Sequence, residues 1–214
     1  MSSHEDEMKK VVELNAANFK KDRININTLK YFWQVSPLST GKRSSIPKFL
    51  RNNKLFDNFS DYELKKLSHF MHQRIFADEE VIIEEGDSGF GFYVIFNGNV
   101  EIYSKRNRIV DGVTNVWQQF VINLSKHEYF GELSLLEKQN IRNATAVSKG
   151  SSILLGIYKP DIEELIERYP LIGAKFLQSI SLSLAQRFKI VTVEIRALKE
   201  KIIELENKLE SSEV

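Results

Sequence analysis

Cysteine is absent from this chain of 214 residues, so no disulfide framework, thiol nucleophile or thiolate metal site can be built from it. That absence suits a reducing, cytoplasmic setting. Proline is scarce, and none follows Pro170, which leaves the C-terminal stretch free to run as one helix. Long apolar runs are missing as well. The densest, Ile153 to Leu155 with Ile157 and Tyr158, is far too short to cross a bilayer. The polar residues from Met1 to Asn15 do not resemble a signal peptide. Charge of one sign is also lacking: a net charge of +1 gives no global pull toward nucleic acid or a membrane surface.

What is present is the composition of an ordinary soluble protein, 42% hydrophobic and 28% charged, with length for one well-buried domain and accessory helices. An N-terminal arm, residues 1–45, carries a helical pattern from Glu5 to Lys21 and an apolar cluster of Leu29, Tyr31, Phe32 and Trp33. From Arg23 to Phe56 the basic residues Arg23, Lys30, Lys42, Arg43, Lys48, Arg51 and Lys54 meet no Asp or Glu. Their wide spacing, without a nucleic-acid motif, reads as a solvated arm more than as a docking surface for an acidic partner.

Pro47 opens a helical pattern with Phe49, Leu50, Leu55 and Phe56 on its apolar side, and Ser60 with Glu63 forms a capping box ahead of Leu64, Leu67 and Phe70. After Phe76 the pattern turns strand-like. The runs Val81 to Ile83, Phe92 to Phe96, Val100 to Tyr103, Val116 to Leu124, Ala144 to Val147 and Ile153 to Tyr158 are divided by Gly86-Asp87, Asn97-Gly98-Asn99, Asp111-Gly112 and Lys149-Gly150. Such spacing predicts an α+β fold: an antiparallel, jelly-roll-like β-roll of about eight strands over residues 46–170, flanked by helices. Asn97-Gly98 is expected to turn a hairpin. A helix from Asp161 to Tyr169 is expected to stop at Pro170.

Residues 171–214 then form a long helix. Phe188, Ile195, Ile202 and Leu209 fall at heptad position a, and Val191, Leu198 and Leu205 at d. Glu194 at g faces Lys199 at e of a parallel partner, and Lys201 at g faces Glu206 at e. A parallel coiled-coil homodimer is expected.

Chemistry concentrates in Phe130-Gly131-Glu132-Leu133-Ser134-Leu135-Leu136, followed after a short loop by Arg142-Asn143-Ala144-Thr145. A strand end, a glycine, a helical turn and an arginine entering the next strand gather free N–H groups and a forked guanidinium, both suited to phosphate oxygens. Glu132 suits a ribose hydroxyl instead. Anion-binding and hydroxyl-binding groups side by side describe a ribose phosphate.

The segment resembles the phosphate-binding cassette of cyclic-nucleotide-binding domains, as in bacterial catabolite activators and kinase regulatory subunits. The resemblance spans roughly Ile46 to Thr192, including Ile83-Glu84-Glu85-Gly86-Asp87, Phe92-Tyr93-Val94-Ile95 with Gly98, and Val100-Glu101-Ile102-Tyr103. It implies a non-enzymatic cAMP or cGMP receptor without a resident cofactor. Glu132 would take the ribose hydroxyl and Arg142 the cyclic phosphate, supported by Gly131 and by backbone amides near Leu133 and Ala144. Asn143 stands where Ala or Ser is usual and leaves the base open, Ile141 replaces proline, and Phe90 replaces an acidic residue. In Leu184-Ala185-Gln186-Arg187-Phe188, similar to the start of the activators' dimer helix, Thr192 becomes a candidate base contact, reached across the dimer.

The chain ends soon after Leu209 and leaves no room for a helix-turn-helix, so direct nucleic-acid binding is not expected; output would pass to a protein partner. His69 and His72 share a helical face and His127 stands alone near the strands, which does not make a metal site. The alternative is a ligand-free dimeric scaffold in which Arg142 and Glu132 merely pair with each other.

Overall fold

The computed structural model describes residues 46–110, 113–137 and 141–212. The expected helix from Glu5 to Lys21, the basic residues up to Arg43 and the Asp111-Gly112 turn lie outside them. Helix α1 (Ile46–Arg51) turns Ile46, Phe49 and Leu50 into the core. A 3-10 turn, Lys54–Phe56, follows, with Asn53 Oδ1 accepting from the Leu55 N–H. Helix α2 (Asp61–Leu67) starts at the expected capping box: Glu63 N–H donates to Ser60 Oγ at 3.3 Å, and Ser60 N–H donates to Glu63 Oε2 at 2.7 Å.

Among the described residues six strands form one antiparallel sheet: β1 (His72–Phe76), β2 (Val81–Ile83), β3 (Gly91–Val110), β4 (Val113–Leu124), β5 (Tyr129–Phe130) and β6 (Thr145–Tyr158). Their order is β1-β6-β3-β4, with β2 also paired to β6 and β5 to β3. Helices α3 (Leu133–Leu136), α4 (Lys159–Arg168) and α5 (Pro170–Ser212) complete the described chain. This is the expected β-roll with flanking helices and a long C-terminal helix.

The Asn97-Gly98 hairpin does not form. Phe92 to Phe96 and Val100 to Tyr103 belong to one strand, β3, which bends there through two register shifts against β6. Gly98 has φ +92°, and a Cβ on it would stand 2.8 Å from Ser152 Cα. The β6 backbone packs too close to Gly98 for any side chain, and residues on both sides of it pair with β6 instead of with each other. In the same way Lys149-Gly150 lies within β6, where Gly150 has φ +67°. Because β3 and β6 run on through segments where the sequence places turns, the described residues form six strands where about eight were expected.

Alternation along β3 and β6 divides the core in two. Phe92, Val94, Leu155 and Ile157 face the helices and join Leu50, Phe56, Leu64, Leu165 and Phe176. Tyr93, Ile95, Leu154 and Tyr158 face the inside of the roll with Ile82, Val100 and Phe130. Past the pair Tyr103↔Thr145, β3 leaves β6 and continues as a two-stranded ribbon with β4.

Pro160 sits in the first turn of α4, where its missing N–H costs nothing. Pro170 ends that helix as expected and also begins α5. The first turns of α5 are held to the domain by buried Ile172, Phe176 and Ile180. Lys175 adds an ion pair to Glu63 of α2 at 2.7 Å. Further on, the a and d residues from Phe188 to Leu209 are all exposed, Phe188 by 74% and Leu198 by 64%.

Candidate functional site

Gly131 joins β5 to α3 with φ +84°, a conformation that favours glycine. A Cβ there would lie 2.7 Å from the Gly91 carbonyl oxygen and 2.8 Å from Arg142 Nη1. The glycine therefore admits a close approach of β3 and the arginine to the cassette turn. Glu132 is buried at the start of α3, Leu133 opens that helix half-buried, and Ser134 is buried behind it.

Arg142 is buried, with 3% of its surface exposed. Its backbone is fixed by the loop before β3: its N–H donates to the Asp87 carbonyl at 2.8 Å, and its own carbonyl accepts from Gly86 N–H at 2.8 Å. Its Nη1 donates to the Gly91 carbonyl at 2.9 Å and to Ser134 Oγ at 2.8 Å. Cζ lies 5.9 Å from the Tyr93 ring centroid. A buried cation is thus held in one orientation by the hydrogen bonds it donates to β3 and α3, with an aromatic face beside it.

Glu132 does not pair with Arg142. Its carboxylate Oε1 accepts instead from Nη1 of Arg187 on α5. Arg187 also donates to the Tyr129 carbonyl at 3.1 Å and stands 4.6 Å above the Tyr129 ring centroid. The Tyr129 hydroxyl meets Ser183 Oγ one turn earlier on α5. Burial pushes the Tyr129 phenol up, opposed by the Arg187 charge beside it. Strand β5, the cassette turn and α5 therefore meet around one carboxylate.

The structure brings Gly131, Glu132, Leu133 and Arg142 together, with Asn143 exposed and Ala144 half-buried where the chain enters β6. Thr192 stands exposed on α5, and its hydroxyl donates to the Phe188 carbonyl of its own helix at 2.8 Å rather than to the cassette. Sequence reasoning missed Arg187. A signal existed: in the heptad register Arg187 is a g residue whose e partner would be Thr192, which carries no charge, whereas the next two g residues have opposite charges waiting. Its counterion is in its own domain. Among the described residues no group of three or more His, Asp or Glu side chains could hold a metal ion, and no helix is long and apolar enough to cross a membrane.

Residues 73–169 match the family model described as cyclic nucleotide-binding domain. The chain is 29% identical over 139 residues to the cAMP-dependent protein kinase regulatory subunit of Candida albicans, covering 60% of this chain and 27% of that protein. It is 24% identical over 149 residues to the cyclic AMP receptor protein of Thermus thermophilus, covering 70% and 63%. The chain thus spans only about a quarter of such kinase subunits. The crystal structure of the Thermus thermophilus catabolite activator protein superposes with a TM-score of 0.57 at 26% identity, over 68% of this chain and 62% of that one. These relatives bear the names of a regulatory subunit and a receptor. Residues 73–169 therefore form a domain of the cyclic nucleotide-binding family.

Proposed function

We propose that the chain is a cyclic-nucleotide receptor, taking cAMP or cGMP, that signals through a rearrangement of its cassette and long helix to a protein partner. Arg142 takes the cyclic phosphate. Glu132 accepts the ribose 2′-hydroxyl, and the backbone amides near Leu133 and Ala144 add donors to the phosphate. The observation that carries the reading is the buried, pre-oriented Arg142 guanidinium beside a buried carboxylate of separate attachment. Because Arg187 draws on Oε1 of Glu132, the other oxygen of the same carboxylate is left for a hydroxyl donor.

The roll over 46–170 is the sensing unit in this reading, 171–214 the dimerising helix and 1–45 an accessory arm. The exposed a/d stripe of α5 and the complementary g and e charges support a parallel homodimer. In that dimer Thr192 is the candidate for meeting the base across the interface.

Titration calorimetry of the full chain with cAMP, cGMP and a cyclic dinucleotide tests the proposal. One of the mononucleotides should bind, and Arg142→Ala should weaken that binding by about 100-fold, the scale of a lost charge-assisted contact. Absence of binding by all three, or binding indifferent to Arg142→Ala, would leave the roll as a scaffold.

A further inference from the structure

The three residues that enter β3, Gly89-Phe90-Gly91, touch the cassette on one side and helix α4 on the other. A Cβ built on Gly89 would lie 1.8 Å from Arg142 Nε and 2.4 Å from Cζ, so the guanidinium rests directly on the glycine backbone. Two residues on, the Gly91 carbonyl accepts Arg142 Nη1 at 2.9 Å. Toward α4, the Phe90 carbonyl accepts the N–H of Lys159, the first residue of that helix, at 3.0 Å. Gly91 also pairs with Tyr158, whose ring would meet a Cβ on Gly91 at 2.7 Å. Tyr158 caps α4: its N–H donates to Asp161 Oδ2 at 3.0 Å, and Asp161 is bonded to His72 of β1 at 3.1 Å.

Two successive carbonyls, joined at the Cα of Gly91, thus hold a buried cation and the first turn of a helix. Peptide planes are stiff, and Gly91 supplies the only soft torsions between these two. A guanidinium drawn outward by an anion pulls on the Gly91 carbonyl, and close packing of the Tyr158 ring passes the shift to α4.

We propose that Gly89 is a positioning residue for Arg142, and that the Phe90–Gly91 carbonyl pair couples Arg142 to the start of α4. The inference rests on Arg142 as the anion-binding residue, and it is separate from the contact of Arg187 with Glu132, which reports on the ribose side.

The experiment uses the full chain, calorimetry with cAMP and site-resolved amide exchange. Gly89→Ala forces the guanidinium aside and should weaken cAMP binding by about 30-fold. In an Arg142→Lys background, where the fork is already gone, the same change should cost little. Equal losses in both backgrounds, or no loss in either, would overturn the positioning role. For the coupling, Arg142→Lys and Ser134→Ala, measured without nucleotide, should each speed exchange of the Lys159 amide while leaving the amides of α2 unchanged. No change at Lys159 in either variant would overturn the coupling. That arm needs no ligand, so failure of the wild type to bind any nucleotide would defeat the receptor reading and leave the coupling judged on its own data.

Discussion

Arg187→Ala removes the cation that compensates a carboxylate with a side chain only 9% exposed, while the arginine itself is 44% exposed. Breaking a fully buried pair costs about 3–5 kcal/mol, and an exposed pair is worth about 0–1 kcal/mol. With one partner buried and the other half in water, the loss of stability should be about 2 kcal/mol. The contact over Tyr129, at 4.6 Å, adds ~0.5 kcal/mol to that. The same side chain fixes which Glu132 oxygen faces the pocket, so affinity for cAMP should fall by about 10-fold, the scale of one weakened bond to a charged group. Affinity for 2′-deoxy cAMP, which has no hydroxyl for Glu132, should hardly change. Calorimetry with both nucleotides, alongside thermal unfolding, reads these outcomes separately. Equal losses for the two nucleotides would refute the idea that Arg187 acts through the ribose contact, and an unchanged cAMP affinity would refute the role altogether.

The parallel dimer proposed for α5 predicts that the full chain sediments as a dimer, and that Ile195→Asp with Ile202→Asp, which places charge at two a positions, gives a monomer in analytical ultracentrifugation with the roll still folded. Gly131→Ala combines a left-handed φ with a Cβ 2.8 Å from Arg142 Nη1; it should lower stability by about 1–2 kcal/mol and weaken nucleotide binding more than that loss of stability accounts for. Glu63 is held below the ordinary carboxylate value of 4.5 by the hydrogen bond from Lys175 and then by the Ser60 N–H. A carboxyl depressed by folding stabilises above its unfolded value and loses that contribution as pH falls through its folded value. The gap in Tm between wild type and Glu63→Gln should therefore be level near neutral pH, shrink below about pH 4.5 and close in stronger acid.

Local chemistry was legible in the sequence. The Ser60–Glu63 box is set by residues three apart, and α4 and α5 are bounded by prolines whose effect needs no tertiary partner. Glu132 and Arg142 stand out as candidates in the sequence because the segment that carries them is nearly contiguous. What escaped depends on distant chain. Asn97-Gly98 carries the composition of a hairpin, yet β6, some fifty residues later, fixes its neighbours into one bent strand. Strand β1, His72-Gln73-Arg74-Ile75-Phe76, lacks an apolar alternation because three of its five residues are polar, and its pairing with β6 makes it a strand. The alternative pairing of Glu132 with Arg142 was reasonable from proximity in sequence. It failed because α5 returns 55 residues later to bring Arg187 to the carboxylate.

The pairing of β3 with β6 also bears on how fast the molecule can fold. Partners along that ladder are separated by between 42 residues, at Tyr103↔Thr145, and 67, at Gly91↔Tyr158. Each contact must close a long loop before it yields any stabilisation, which places the roll among slow, high-contact-order topologies. Helices α1 and α2 and the β3–β4 ribbon are local and can form early. Strand β4, with Trp117 and Phe120 exposed, covers only one edge of β3, and the other edge, which β6 later covers, then stands open to water. Refolding yield should accordingly fall with protein concentration, because intermolecular pairing at that edge competes with closure of the roll.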